Sequence, residues 1–506
     1  MAPRLSDDRP TILAKVSLLL LLCGPAAAPL FGAPSQATRS AEAPKSVVFI
    51  VVDTLRADHL GCYGYPRPTS PHIDALATRG VLFKNTLSQS SWTLPSMISL
   101  MMGRYVLGLT PLLPGNIETM AELFSARGYE TAAFVANGVV SGPAGFTRGF
   151  DLFRSEDNLL ELPEHTRESS VFKLGEIVND EVQYWAEKRA ATEKQDPDGA
   201  PFFIYIHYMD PHRPYLPLGE SAPFAESYEP LGPLAKKRYD DFVAEHPDLQ
   251  ADAEAQLQRI RDTIQRYDAD VSYTDARIGE MLASLEDLGL MDNTVVALVA
   301  DHGEGLFDRR EYDELVRQQG PPEAQRLADY FKNGHGRQLN SELVSTPIIF
   351  AGPGVVAGRM VIETVANVSV LPTLVELATG DIIDDRDGQN LVPALVDETF
   401  SLDQRSMLYS WCIQATAVLH PKRRLKLLRP NDAGLQYDLV PTLFDLLNDP
   451  GEDRNALDSD ASQMAAAARF LNGVLVEREK LSLNQSKSTE YLEATRRKML
   501  ELGYIR

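Results

Sequence analysis

This sequence predicts an α/β fold: a mostly parallel central sheet with helices on both faces, followed by a small C-terminal α+β domain. Three observations carry that prediction. Continuous apolar runs rich in β-branched residues recur along the chain, helical patterns separate them, and the character of the sequence changes near residue 400. A strand buried on both faces has no polar side to alternate with, so it reads as an unbroken apolar run. Strands alternating with helices imply parallel pairing through helical crossovers.

The elements follow in order. KSVVFIVVD opens the domain after the linker SQATRSAEAPK, and ETAAFVAN, PFFIYIHYMD, NTVVALVAD and STPIIFAGPG repeat its pattern. MAELFSARG and DARIGEMLASLEDLG supply helical periodicity between them. Residues from about 155 to 275 are charged and helical, carry the loop EKQDPDGAP, and read as insertions around the PFFIYIHYMD strand that shape access for a substrate. A catalytic domain is therefore expected over 45–395 and a small subdomain over 400–485. In the latter, SMLYSWCIQATAVLH and RRLKLLR read as antiparallel strands, with a turn at NDPGED and the helix ASQMAAAARFLNGVLVEREKL after them. The tail over 486–506 is expected to be peripheral.

With 506 residues, 44% of them hydrophobic, the chain can bury an ample core without staples. Its net charge of −22 leaves no dominant basic surface to release counterions, which argues against a nucleic-acid partner. The cysteines Cys23, Cys62 and Cys412 form neither a disulfide framework nor a CxxC metal site, with a Cys62–Cys412 bridge left open. Residues 1–35 differ from the rest. Arg4, Arg9 and Lys15 precede the apolar run VSLLLLLC and then GPAAAPLFGA, the pattern of a signal peptide or an N-terminal anchor. A secreted, periplasmic or envelope-anchored protein is expected, with membrane attachment through the N-terminus as one option. Cys23 is a lipidation candidate, although Leu22 stands where a lipoprotein signal has a small residue.

Ligands of parallel sheets bind beyond the carboxyl ends of the strands. Asp53, Asp210 and Asp301 each fall where an apolar run stops. Asp53 and Asp301 could give hard oxygen ligands to a cation and His302 a nitrogen ligand beside them. A lone strand-terminal aspartate is more often a helix cap. Two such ends, one of them in DHGEG, favour one divalent ion. The histidine points to manganese or zinc, with calcium and magnesium as alternatives. Thr93 opens the helix TLPSMISLMMG ahead of Pro95, which reads as an N-cap and also as an anion site. His207 and Asp210 share a strand end and could hold a second metal, whereas His59, His72, His165, His246 and His420 read as structural.

Six segments in order resemble the sulfatase family of the alkaline phosphatase superfamily. VVFIVVDTLRADHLGCYGYPRPTSPHIDALATRGVLFKN is similar to the family's opening, SWTLPSMISLMMGR to its nucleophile turn, and FIYIHYMDPHRPYLP to its central histidine strand. NTVVALVADHGEG is similar to the second metal-ligand strand, HGRQLNSELVSTPIIFAGPG to the segment that brings basic residues to the anion, and LFDLLNDPGEDRN to the end of the small domain. The resemblance implies a metal site of Asp53, Thr93, Asp301 and His302. It makes Thr93 the nucleophile, and it gives His212, His335 and Arg337 to the oxygens of the transferring group.

Four positions depart from the family pattern. Thr93 stands where sulfatases carry a cysteine or serine oxidised to formylglycine, Met97 replaces an arginine, Thr54 stands where sulfatases have a second aspartate, and His302 stands where many have asparagine. Threonine cannot be oxidised in that way. The set resembles instead the phosphotransferases and phosphodiesterases of the superfamily, in which a metal-bound threonine attacks phosphorus, and a metal does lower the pKa of a coordinated hydroxyl. The expectation is a metal-dependent hydrolase or transferase of phosphate or sulfate esters acting through Thr93, with phosphoesters or phosphodiesters ahead on chemistry. A sulfuric ester hydrolase is the alternative, and a catalytically silent binding protein the second. The substrate is expected to be an anionic ester of a glycan or an envelope lipid.

Overall fold

The computed structural model describes residues 45–108, 112–155, 174–194, 199–215, 240, 243–244, 247–308, 334–435, 439–458 and 462–483. The leader at 1–35, Cys23, His165, His246, the tail at 486–506 and much of the expected insertion lie outside the described residues. The described residues form one compact unit.

The central sheet has eight strands: β1 (Ser46–Val52), β2 (Gly80–Leu87), β3 (Glu130–Val135), β4 (Leu152–Ser155), β5 (Phe202–Tyr208), β6 (Thr294–Ala300), β7 (Ile348–Ala351) and β8 (Arg359–Ala366). Their order is β4-β3-β5-β1-β6-β7-β2-β8. Only β7 runs against its neighbours, pairing antiparallel with both β6 and β2. The α/β expectation therefore holds, with one reversed strand inside the sheet.

The apolar run of β1 is explained by its position. Val47, Phe49 and Val51 enter one core while Val48, Ile50 and Val52 enter the other, and all six are fully buried. Each such side chain contributes roughly 1.5–3 kcal/mol of burial. On the first face lie α2 (Thr93–Met102), α3 (Met120–Ser125) and α6 (Val370–Thr379). On the second lie α1 (Pro71–Thr78), α4 (Leu174–Glu193) and the long α5 (Gln250–Asp287). Much of the segment read as a substrate-access insertion is thus core helix, because Ile260, Ile264, Tyr267 and Val271 of α5 form an apolar stripe against the sheet. No helix among the described residues is long and apolar enough to cross a membrane.

The C-terminal sheet is antiparallel in the order β12-β11-β10-β9, made of β9 (Leu408–Trp411), β10 (Ala415–His420), β11 (Leu425–Pro430) and β12 (Thr442–Asp445). Helix α7 (Ser462–Leu483) follows and buries Leu471 and Leu475. Trp411 joins this sheet to the approach to α2, its amide donating to the Gln89 carbonyl at 2.8 Å. Cys62 and Cys412 are not bridged to each other, which closes the disulfide alternative.

Candidate metal centre and anion site

Parallel register brings the two acidic strand ends together. Val52 of β1 pairs with Ala300 of β6 on one side and with Tyr208 of β5 on the other, so Asp53 and Asp301 leave the sheet side by side. At Thr54 the backbone turns sharply into the left-handed region, with φ 57°. Its amide donates to Asp301 Oδ1 at 3.2 Å and its hydroxyl to the Asp53 carbonyl at 2.7 Å. The Thr54 side chain is therefore spent on backbone. It offers no ligand where the family pattern has an aspartate.

Helix α2 is tied to the same place. Ser88 Oγ and Ser96 Oγ both donate to the Asp301 carbonyl and lie 2.6 Å from each other. Thr93 does not cap this helix: Trp92 holds the cap position, and Thr93 is the first helical residue. Its Oγ1 lies 3.3 Å from both Asp53 Oδ2 and His302 Nε2. The N-cap expectation is corrected for that reason, since the hydroxyl is turned into the site and away from the helix amides. Gly303 fixes the other side, because a Cβ there would stand 2.1 Å from the Glu342 carbonyl.

Asp53, Asp301 and His302 are fully buried, and each offers a ligand atom within 4.8 Å of the others. Asp53 Oδ2 accepts from Asn137 Nδ2 at 2.5 Å, while Asp53 Oδ1 has no hydrogen-bond partner. Asp301 repeats the pattern: Oδ1 accepts from the Thr54 and His302 amides, and Oδ2 has no partner. His302 Nδ1 donates to the Gly303 carbonyl at 2.8 Å, which leaves the Nε2 lone pair facing the two carboxylates at 3.7 and 3.4 Å. Burial, and then the charge of Asp301, lift Asp53 to about 6; burial lifts Asp301 to about 7 and lowers His302. Two buried carboxylate oxygens without donors are expensive unless a proton or a cation meets them. These residues fit a divalent ion held by two oxygens and one imidazole nitrogen.

A row of imidazoles leads away from the Asp53, Asp301 and His302 cluster. The His335 ring lies 4.5 Å from that of His302 and 5.0 Å from that of His212. His335 Nδ1 lies 3.0 Å from Glu304 Oε1, and burial lowers His335 to about 3, so the neutral ring donates to the carboxylate. Burial alone would raise Glu304. The His335 contact and the Arg213 guanidinium, 3.9 Å away, hold it at about 2 instead. His212 Nδ1 donates to the Arg213 carbonyl at 2.7 Å, leaving Nε2 without a partner. Arg337 lines a neighbouring cavity of about 400 Å³ against the C-terminal sheet, with Asn340, Phe444 and Asn455 among its walls. The structure thus brings Asp53, Thr93, Asp301, His302, His335 and His212 into one line.

His207 and Asp210 part company. His207 Nε2 reaches to 3.9 Å from Asp53 Oδ2, whereas Asp210 turns to the Gly175 amide at the start of α4. The expected shared site is not formed, because His207 lies within β5 and faces Asp53 while Asp210 lies beyond the strand end and turns to α4. His59 is structural as read, bonded to Asp268 at 2.7 Å. Sequence reasoning left Asn137 and Glu304 unassigned. Asn137 ends the quoted run ETAAFVAN just as Asp53 ends β1, and that parallel was the available signal. Glu304 lay inside DHGEG, but nothing local marks its contact with His335, 31 positions later.

A buried oxygen and nitrogen set at the ends of a parallel sheet, facing a hydroxyl at a helix start, belongs to metal-dependent hydrolases of anionic esters. Residues 45–380 match the model of the Sulfatase family, and the chain belongs to that family. An ulvan-active sulfatase of Formosa agariphila is 26% identical over 445 residues, spanning 81% of this chain and 77% of that one. A delta 4,5-hexuronate-2-O-sulfatase of Bacteroides thetaiotaomicron is 24% identical over 490 residues, 91% of this chain and 92% of that one. In fold, the chain is similar to the phosphonate monoester hydrolase of Agrobacterium radiobacter. The TM-score is 0.62 at 16% identity, covering 87% of this chain and 96% of that one.

Proposed function

We propose that the protein hydrolyses a sulfuric ester carried by an acidic saccharide, with Thr93 as the attacking group. Relatives matched over most of their length include sulfatases of ulvan and of a hexuronate, which favours sulfate over the phosphoester preference drawn from Thr93 alone. The observation that carries the role of Thr93 is its position, 3.3 Å from both a metal-site carboxylate and a metal-site imidazole. A bound divalent cation would supply Lewis acidity to the ester oxygens and lower the pKa of a hydroxyl beside it. Asp53, Asp301 and His302 would hold it.

The chemistry balances without an oxidised side chain. Thr93 Oγ1 bonds to sulfur, the S–O bond to the sugar breaks, and the sugar hydroxyl leaves with the threonine proton. Water then cleaves the Thr93 sulfate ester, releasing hydrogen sulfate and restoring the hydroxyl. His212 and His335 face the same space, and with Nδ1 of each already donating to a neighbour, they would bind the sulfuryl oxygens by taking a second proton on Nε2 beside the anion. Arg337, at the edge of the cavity by the C-terminal sheet, would meet the negative charge of the saccharide.

A second reading replaces sulfur by phosphorus with the same balance, and one feature favours it: an unmodified threonine is a hydroxyl nucleophile of the kind used on phosphorus. The deciding experiment offers aryl sulfate, phosphate monoester, phosphodiester and phosphonate substrates, and a 2-O-sulfated unsaturated uronate, with manganese or zinc. Release of sulfate from the uronate at the highest kcat/KM is expected. Faster turnover of any phosphorus ester would overturn the sulfate assignment.

A further inference from the structure

The left-handed turn at Thr54 is held from outside the site. Thr54 is β-branched, and a positive φ is a genuine outlier for such a residue, so its surroundings must enforce it. The enforcing group comes from α5, more than 200 positions later. The Tyr267 hydroxyl donates to the Thr54 carbonyl at 2.8 Å and accepts from the Arg56 amide at 2.9 Å, closing the turn across two residues with one oxygen. Tyr267 is fully buried, and its ring is fixed edge-on by His59 at 5.1 Å and Tyr215 at 5.7 Å.

We propose that Tyr267 is a positioning residue for the metal centre, its hydroxyl holding the Thr54 turn that aims the Thr54 amide at Asp301 and sets the direction of Asp53. The inference rests on the reading that these two carboxylates hold the ion. Without the hydroxyl, a buried carbonyl and a buried amide lose their shared partner. Thr54 then relaxes toward negative φ, its N–H swings off Asp301 Oδ1, and the two carboxylates lose their common orientation. Glycine at 54 needs no such restraint, since it adopts positive φ freely. The turn and the tyrosine should therefore be coupled, which a general packing role would not produce.

The test compares four full-length proteins: wild type, Tyr267→Phe, Thr54→Gly and the double variant. Affinity for manganese(II) is measured by titration calorimetry and for zinc(II) by competition with a chelator, alongside melting temperature. Tyr267→Phe is expected to bind about tenfold more weakly or worse, as for loss of a group that orients metal ligands. Thr54→Gly and the double variant are both expected within about threefold of wild type, because glycine makes the restraint unnecessary. Wild-type affinity in Tyr267→Phe overturns the proposal, and so does a double variant as weak as Tyr267→Phe. If Tyr267→Phe does not fold, a double variant that folds and binds normally upholds it, and failure of both overturns it. A wild type that binds neither ion sinks the metal reading itself, an outcome distinct from the others.

Discussion

Asp53 and Asp301 leave adjacent parallel strands side by side, and each keeps one fully buried carboxylate oxygen without a hydrogen-bond donor. Such a pair is an arrangement for a cation. Manganese or zinc should raise the melting temperature of the wild type, and Asp301→Asn should abolish most of that rise. At a hundredfold excess over Kd, binding to the native state alone is worth about 2.7 kcal/mol. Scanning calorimetry with and without metal checks it, and an equal rise in Asp301→Asn would count against the assignment.

The same carboxylates set a pH dependence. Their pKa values in the folded metal-free protein, about 6 for Asp53 and about 7 for Asp301, lie above the ordinary 3.8. Between these limits the folded state binds more protons than the unfolded chain. Their contribution to stability is therefore fully present below the unfolded value and lost as pH rises through the folded ones. A cation takes the place of the protons. The metal-induced rise in melting temperature should be small at pH 5 and large at pH 8, and a rise independent of pH would contradict this account.

Thr93→Ala should lower turnover by roughly a thousandfold or more, since the covalent step is lost. Stability should change by no more than about 1 kcal/mol, because Trp92 and not Thr93 occupies the cap position. Thr93→Ser should keep measurable activity. Initial rates and melting curves separate the two effects, and full activity in Thr93→Ala would remove Thr93 from the chemistry.

Asn137→Ala deletes the 2.5 Å donor to Asp53 Oδ2 and leaves Thr93 as the nearest donor to that oxygen. Metal affinity should fall by about tenfold, the scale of losing a group that orients a ligand. Asn137→Asp should lose less affinity than Asn137→Ala, because the added carboxylate attracts the cation even though the donor to Asp53 is gone. Calorimetric titration distinguishes these outcomes from unchanged binding.

Much of the site was legible because its residues end buried strands. Asp53 and Asp301 close the runs KSVVFIVVD and NTVVALVAD, His302 follows directly, and Thr93 opens a helix with proline in its first turn. Those are local signals. Asn137 carried a weaker version of the same signal, and Glu304 none, since its meaning depends on His335. The reversed strand β7 was read as a strand but not as antiparallel, because an apolar run buried on both faces looks the same in either direction.

The sequence by itself determined that a buried parallel sheet would end in carboxylates beside a histidine, because burial and strand termination are written in neighbouring residues. Only the tertiary structure decided which of those ends meet. Register between β1 and β6 unites Asp53 with Asp301 and leaves Asp210 on another face, turned to Gly175. The serine ties to the Asp301 carbonyl draw α2 in until the Thr93 hydroxyl faces Asp53 and His302 instead of capping its helix. A tyrosine from a helix read as an insertion holds the Thr54 turn. Contacts between residues hundreds of positions apart leave no local pattern, because side chains that meet only after folding impose no spacing on the chain.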